Sequence, residues 1–273
     1  MPGHEGTVSP LARIASPSPG LPWVGTSWKM TKRLSEAIEY AEALAGRASS
    51  FASLTNSFVL PPFPFIDAVA RRLVPAGLAV GAQNVHWSAQ GAFTGEVSAP
   101  MLVDVGATMV AIGHAERRAM FGETDHTVAA RTAGALAGGL RALVCVGEPA
   151  TERATGTHCE FVVRQLKIAV SQLPAELLPG LLVAYEPVWA IGEGSTAAAP
   201  AEANEMHGEL RAALADRYGE AGRRVPVLYG GSVTVDGARD VIEQPEIDGL
   251  FVGRAAWTVD GFAAIAVIVA ECG

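Results

Sequence analysis

The stretch L-L-V-A-Y-E-P-V-W-A-I-G, residues 181 to 192, decides the fold. Its first five residues are an unbroken apolar run, followed at once by a carboxylate, a proline and a tryptophan. A strand with one wet face alternates apolar and polar residues, whereas a strand covered on both faces does not. Leu181 to Tyr185 therefore reads as a parallel strand buried on both sides, with Glu186 standing at its polar end.

The same unit recurs in both directions along the chain. Strand-like apolar runs fall at 23–28, 56–60, 77–82, 108–112, 141–146, 181–185, 225–229 and 247–252. Helix-like stretches follow them at 32–46, 64–74, 97–105, 123–138, 157–173, 200–218, 235–243 and 258–271. Eight strand–helix repeats without a shift in composition predict a single α/β domain over 23–273, a (β/α)8 TIM barrel. A doubly wound open sheet is the alternative. It would carry a glycine-rich fingerprint after its first strand, where this chain reads S-W-K-M. Residues 1–22 are rich in Pro, Ser and Gly and show no sustained period. They are expected to be a flexible extension, or the product of an over-called start codon.

Composition narrows the partners. The chain has 273 residues, is 49% hydrophobic and carries a formal net charge of -8. That balance gives no footprint for nucleic acid or an anionic membrane, although a local positive site for a phosphorylated small molecule remains compatible with it. The three cysteines, Cys145, Cys159 and Cys272, match no zinc or redox spacing and read as free thiols in a reducing compartment. No apolar run reaches the roughly 18 residues of a spanning helix, and no signal-peptide pattern opens the chain. The expectation is a cytoplasmic protein that uses no metal and no cofactor.

Barrel chemistry sits at the C-terminal ends of the strands. The polar residues there are Ser27-Trp28-Lys29, His114 to Arg118, Glu186, Tyr229-Gly230-Gly231-Ser232 and Gly253-Arg254. Singly, a lysine reads as a loop charge, a histidine as structural and a glutamate as a helix cap. Together on one rim they suggest a base (Glu186), an electrophile (His114), a cation (Lys29) and a phosphate cup built from glycine-rich backbone. Those parts suit proton abstraction beside the carbonyl of a phosphorylated sugar. The segment Pro187, Val188, Trp189, Ala190, Ile191, Gly192, Glu193, Gly194 reads as a lid, stiff at its start and free at its tip.

The ordered stretches W-K-M (28–30), G-A-Q-N (81–84), G-A-F-T-G-E (91–96), G-H-A-E-R-R (113–118), C-V-G-E (145–148), Y-E-P-V-W-A-I-G (185–192), Y-G-G-S-V (229–233) and D-G-L-F-V-G (248–253) resemble the triosephosphate isomerase family over about residues 23–270. The resemblance implies that Glu186 is the carboxylate base and His114 the neutral imidazole that polarises the carbonyl. It implies that Lys29 supplies positive charge beneath the substrate, with Glu116 behind it. It implies phosphate contacts at Gly192, Ser232 and Gly253. Gln83, Asn84 and Thr94 match residues of a homodimer contact. The pairing of a glutamate base with a neutral histidine is a general pattern for which this family is the worked case.

The chain departs from the family at several places. Ser27 stands where asparagine precedes Trp-Lys, and Ala115 follows His114 where serine is usual. The lid reads G-E-G-S (192–195), Gly253 is followed by Arg254, and Val85-His86-Trp87 is unusual after G-A-Q-N. The combination G-T-S-W-K-M, N-V-H-W and D-G-L-F-V-G-R-A-A-W looks like the erythrulose-phosphate isomerases of tetritol breakdown. That likeness implies interconversion of L-erythrulose 1-phosphate and D-erythrulose 4-phosphate. Ser27 is then expected to set specificity, by making room for the extra hydroxymethyl group or bonding to it, and Arg254 to contact phosphate or lid. The alternatives are a triosephosphate isomerase proper and a paralogue that only binds sugar phosphates. A barrel lyase or aldolase is disfavoured: it would want a Schiff-base lysine on a strand or a metal cluster, whereas the chain's lysines are Lys29, Lys32 and Lys167 and no His/Asp/Glu cluster has metal-ligand spacing.

Overall fold

Both faces of the strands are buried, and their residues divide between the two faces with period two. In β5 (Arg141–Val146), Leu143 and Cys145 join the cluster inside the barrel, while Ala142, Val144 and Val146 join the cluster under the helices. In β6 (Leu181–Tyr185), Leu182 and Ala184 pack inward and Leu181, Val183 and Tyr185 pack outward. This is the physical reason for the unbroken apolar runs.

The computed structural model describes residues 17–191 and 197–273. The remaining strands are β1 (Trp23–Ser27), β2 (Asn56–Leu60), β3 (Ala79–Ala82), β4 (Met109–Ile112), β7 (Val227–Tyr229) and β8 (Gly249–Val252). All eight pair in parallel in chain order, and β8 closes onto β1 with Thr26 opposite Val252. Ser27 lies one residue beyond that ladder, paired only with Leu60 of β2. Inside the barrel, Phe58 stacks on Phe251 with ring centroids 5.9 Å apart. Gly25 is required there, because a Cβ would stand 2.1 Å from the Phe58 ring.

The helices are α1 (Leu34–Ala45), α2 (Ile66–Leu73), α3 (Ala99–Asp104), α4 (Ala115–Met120), α5 (Asp125–Ala137), α6 (Ala150–Thr155), α7 (His158–Ala169), α8 (Pro200–Tyr218), α9 (Glu220–Arg223), α10 (Ala238–Ile242) and α11 (Val259–Cys272). Helix α8 spans the expected 200–218, opened by Pro200 in its first turn and ended by Gly219. Helices α4, α6 and α9 are additions to the sequence reading. The first two bury no residue and the third buries only Gly222, so none has an apolar stripe to betray it. Strands β3, β7 and β8 begin two residues later than the expected 77, 225 and 247. Before β3, Gly77 takes a left-handed turn (φ 88°) and Leu78 bonds back to Leu73. Upstream of β1, Asn56 exchanges hydrogen bonds with Ser18 and donates to the Leu21 carbonyl at 2.9 Å. Among the described residues no helix is long and apolar enough to cross a membrane.

Candidate active site

Lys29 follows β1 with φ 53°, in the left-handed region. That conformation is unfavourable for a lysine by roughly 1–2 kcal/mol. Its surroundings hold it there. The Lys29 N–H donates to Ser27 Oγ at 3.2 Å, and Gln83 Nε2 donates to the Lys29 carbonyl at 3.0 Å. The Nζ ammonium donates to Glu116 Oε1 at 2.6 Å. Both partners of that pair are partly exposed, so it fixes geometry more than it adds stability.

His114 caps the N-terminus of α4, its Nδ1 accepting the Glu116 N–H at 3.2 Å. A ring that accepts at Nδ1 in its neutral form carries its proton at Nε2. Nε2 lies 3.4 Å from Glu186 Oε1. Glu186 is buried, and its Oε2 accepts the Ala115 N–H at 2.9 Å. Gly147 makes this approach possible, since a Cβ there would stand 1.8 Å from the Glu186 carbonyl oxygen. Burial, and then the nearby Glu186 charge, push the Cys145 thiol well above its usual range. It stays protonated and adds no second negative charge beside the carboxylate.

These groups share one cavity of about 360 Å³, whose wall includes Ser27, Lys29, His114, Glu186, Ser232 and Arg254. Larger cavities beside Trp87 and on the barrel floor hold none of Lys29, His114 and Glu186. Gly253 also lines the site, and no atom stands within 4 Å of where its Cβ would be. Packing within the chain thus does not demand glycine there, and the space beside its backbone is open. The main-chain N–H groups of Ser232 and Gly253 meet no acceptor among the described residues. Arg254 is exposed and has no carboxylate partner among the described residues. Open space, free donors and an uncommitted guanidinium together suit a dianionic group.

The expected lid falls partly outside the described residues, which exclude Gly192, Glu193 and Gly194. Its first half is firmly placed. Val188–Ala190 forms a 3₁₀ turn, with Pro187 before it and Ile191 after it. Trp189 Nε1 donates to Glu148 Oε1 at 2.7 Å, and the Ala190 carbonyl accepts from Ser232 Oγ at 2.7 Å.

Asn84 accepts from Arg131 at 2.9 Å, while Thr94 is exposed on the loop that β3 feeds. At the base of that loop His86 lies between Trp87 (4.2 Å) and Phe93 (4.1 Å), which gives the unusual V-H-W run a packing role. Sequence reasoning missed two supports of the site. One is the hold of Gln83 on the Lys29 backbone. The other is a hydrogen bond from Trp257 Nε1 to the Ser27 carbonyl at 3.0 Å. Neither leaves a periodic signal in the sequence.

The family model described as triosephosphate isomerase matches residues 22–269. The chain belongs to this family. Within the family, it is 44% identical to the L-erythrulose-1-phosphate isomerase of Mesorhizobium japonicum, over 88% of this chain and 94% of that protein. It is 43% identical to the triosephosphate isomerase of Chloroflexus aurantiacus, over 90% of this chain and 98% of that one. The crystal structure of triosephosphate isomerase from Bartonella henselae superposes with a TM-score of 0.81 at 30% identity, covering 90% of this chain and 98% of that one. The family's sugar-phosphate isomerase chemistry is that of this chain. A buried carboxylate facing an Nε2–H imidazole, with an ammonium alongside, can move a proton between adjacent carbons while stabilising the oxyanion that forms.

Proposed function

We propose that the enzyme interconverts L-erythrulose 1-phosphate and D-erythrulose 4-phosphate, acting in tetritol (erythritol) breakdown in the cytoplasm as a homodimer. Glu186 removes the proton from C3. The C3–H electrons form the C2–C3 double bond of a cis-enediol, and the C2 oxygen takes its proton from His114 Nε2. Return of a proton to C2 and loss of one from the C3 oxygen leave the carbonyl at C3. No external oxidant or reductant is consumed. Lys29 offsets the negative charge of the phosphate and of the enediolate, with Glu116 fixing its Nζ. Ser232, Gly253 and Arg254 hold the phosphate, together with Gly192.

One observation carries the tetrulose reading. Ser27 lines the cavity, its oxygen accepts from Lys29, and its hydroxyl proton has no acceptor among the described residues. A terminal hydroxymethyl group beyond C3 supplies that acceptor, and a triose phosphate does not. The Mesorhizobium japonicum relative supports the same substrate, whereas the Chloroflexus aurantiacus relative supports the triose. Two exposed side chains support the homodimer: Met30 is 97% exposed beside Lys29, and Phe121 is 66% exposed just after α4. Apolar surface of that kind next to a site suits burial against a second copy, with Gln83, Asn84 and Thr94 near the contact.

The test compares kcat/KM for L-erythrulose 1-phosphate and glyceraldehyde 3-phosphate in wild type and Ser27→Asn. The wild type should prefer the tetrulose, and the variant should move toward the triose by about 10- to 100-fold. A wild type that prefers the triose refutes the proposed substrate.

A further inference from the structure

Beyond the β1–β8 ladder, one side chain joins the ends of these two strands. Trp257 closes a 3₁₀ turn, Arg254–Trp257, directly after β8, and its Nε1–H donates to the Ser27 carbonyl at 3.0 Å. The turn is clamped from behind. Lys32 Nζ donates to the Trp257 carbonyl at 2.7 Å, and the Tyr40 hydroxyl donates to the Ala256 carbonyl at 2.8 Å. The Lys32 ammonium also lies over the Trp28 and Tyr40 rings, 5.2 and 4.8 Å from their centroids. The indole is therefore anchored on its main chain and directed at β1, rather than carried on a loose loop.

Ser27 is where that anchor meets the chemistry. Its carbonyl lies past the last residue paired with β8, so the indole N–H takes the place of a ladder bond. Its hydroxyl accepts the Lys29 N–H, so a rotation of the 27–28 peptide that shifts the start of the Lys29 turn makes the hydroxyl follow that N–H or lose its bond. Ser27 and Trp257 both line the reaction cavity. A hydroxyl that must meet one particular substrate oxygen discriminates only if it is held in place, because a loosely placed donor bonds water equally well.

We propose that Trp257 is a positioning residue: through the Ser27 carbonyl it holds the Ser27 hydroxyl against the substrate chain, and so selects ketose phosphates by chain length. This rests on the reading that Ser27 meets the terminal hydroxymethyl group. It adds a determinant from the opposite end of the sequence, which touches the serine's backbone.

The experiment measures kcat/KM for L-erythrulose 1-phosphate and dihydroxyacetone phosphate in wild type, Trp257→Phe, Ser27→Ala and the double variant. Phenylalanine keeps an aromatic ring and deletes the N–H. The expected result is a fall of about tenfold for the tetrulose and less than about threefold for the triose. In the Ser27→Ala background, Trp257→Phe should leave the substrate ratio unchanged, since the hydroxyl it acts through is gone. If Trp257→Phe does not fold, as read by circular dichroism, Trp257→Leu, which likewise has no donor, serves in its place. A ratio unchanged in the single variant, whether both rates fall together or neither moves, overturns the proposal. So does a ratio shift that persists undiminished without the Ser27 hydroxyl. A wild type that prefers the triose contradicts the proposed substrate alone, because the response of the ratio to Trp257→Phe is still read. A wild type with no tetrulose turnover overturns both.

Discussion

The side-chain amide of Gln83 donates to the main-chain carbonyl of Lys29 at 3.0 Å and to that of Leu60 at 2.9 Å. One amide thus ties the left-handed lysine to the end of β2. Gln83→Ala removes both bonds and leaves the Lys29 turn to relax. We predict a fall in kcat/KM of about 10- to 100-fold from the displaced ammonium. Stability should drop by about 1–3 kcal/mol, mainly for the Lys29 carbonyl, since that of Leu60 keeps the Trp28 N–H at 3.1 Å. Steady-state kinetics and urea unfolding check the two halves separately. Full activity with only a stability loss would show that Lys29 keeps its place without the amide.

Glu186→Gln tests the base. The amide oxygen can still accept the Ala115 N–H that the carboxylate accepts at 2.9 Å, so the fold should be preserved. Without basicity, turnover should fall by roughly 10²–10⁴-fold. An active Gln variant rules out Glu186 as the proton acceptor. Circular dichroism and rate measurements on the same sample decide it.

Gly147→Ala probes the close approach of β5 and β6 at the site. The added methyl would stand 1.8 Å from the Glu186 carbonyl oxygen, so backbone has to move. Destabilisation of about 1–3 kcal/mol is expected from overpacking, with turnover lowered as Glu186 shifts. A variant with wild-type denaturant midpoint and rate would show that the rim is more yielding than its packing implies.

His207 gives a pH dependence. It is fully buried, and burial lowers its pKa from 6.5 to about 3. Between those values the unfolded chain binds a proton that the folded chain does not. Stability from this group is therefore fully present above pH 6.5 and is lost progressively as pH falls toward 3. The limiting slope for one proton is about 1.4 kcal/mol per pH unit. Urea unfolding at several pH values in that window should show a shallower dependence for His207→Gln than for wild type. Parallel curves would mean that His207 does not titrate differently in the two states.

The rim residues are legible from sequence because the barrel rule says where each strand's chemistry stands. Lys29, His114 and Glu186 follow β1, β4 and β6, and the structure brings all three into one cavity. Strands β5 and β6 are also legible to the residue, since an apolar run covered on both faces ends where its cover ends. Helices α4 and α6 are not, because a helix that buries nothing has no stripe. The state of Ser27 is only half legible. Its type and place mark it as a residue of the cavity rim, where the structure puts it. That its oxygen already holds the Lys29 N–H depends on a φ of 53° that no local pattern announces. Contacts such as Trp257 to Ser27, separated by 230 positions, exist only once the barrel has closed.

That closure orders events during synthesis. Ser27 and Lys29 leave the ribosome early, whereas Trp257, whose indole bonds to the Ser27 carbonyl, is made 230 residues after Ser27. A nascent chain that has not yet extruded β8 lacks the wall of the cavity that Gly253, Arg254 and Trp257 supply. The cavity that gathers Lys29, His114 and Glu186 is therefore completed only when the last strand and its turn have left the ribosome.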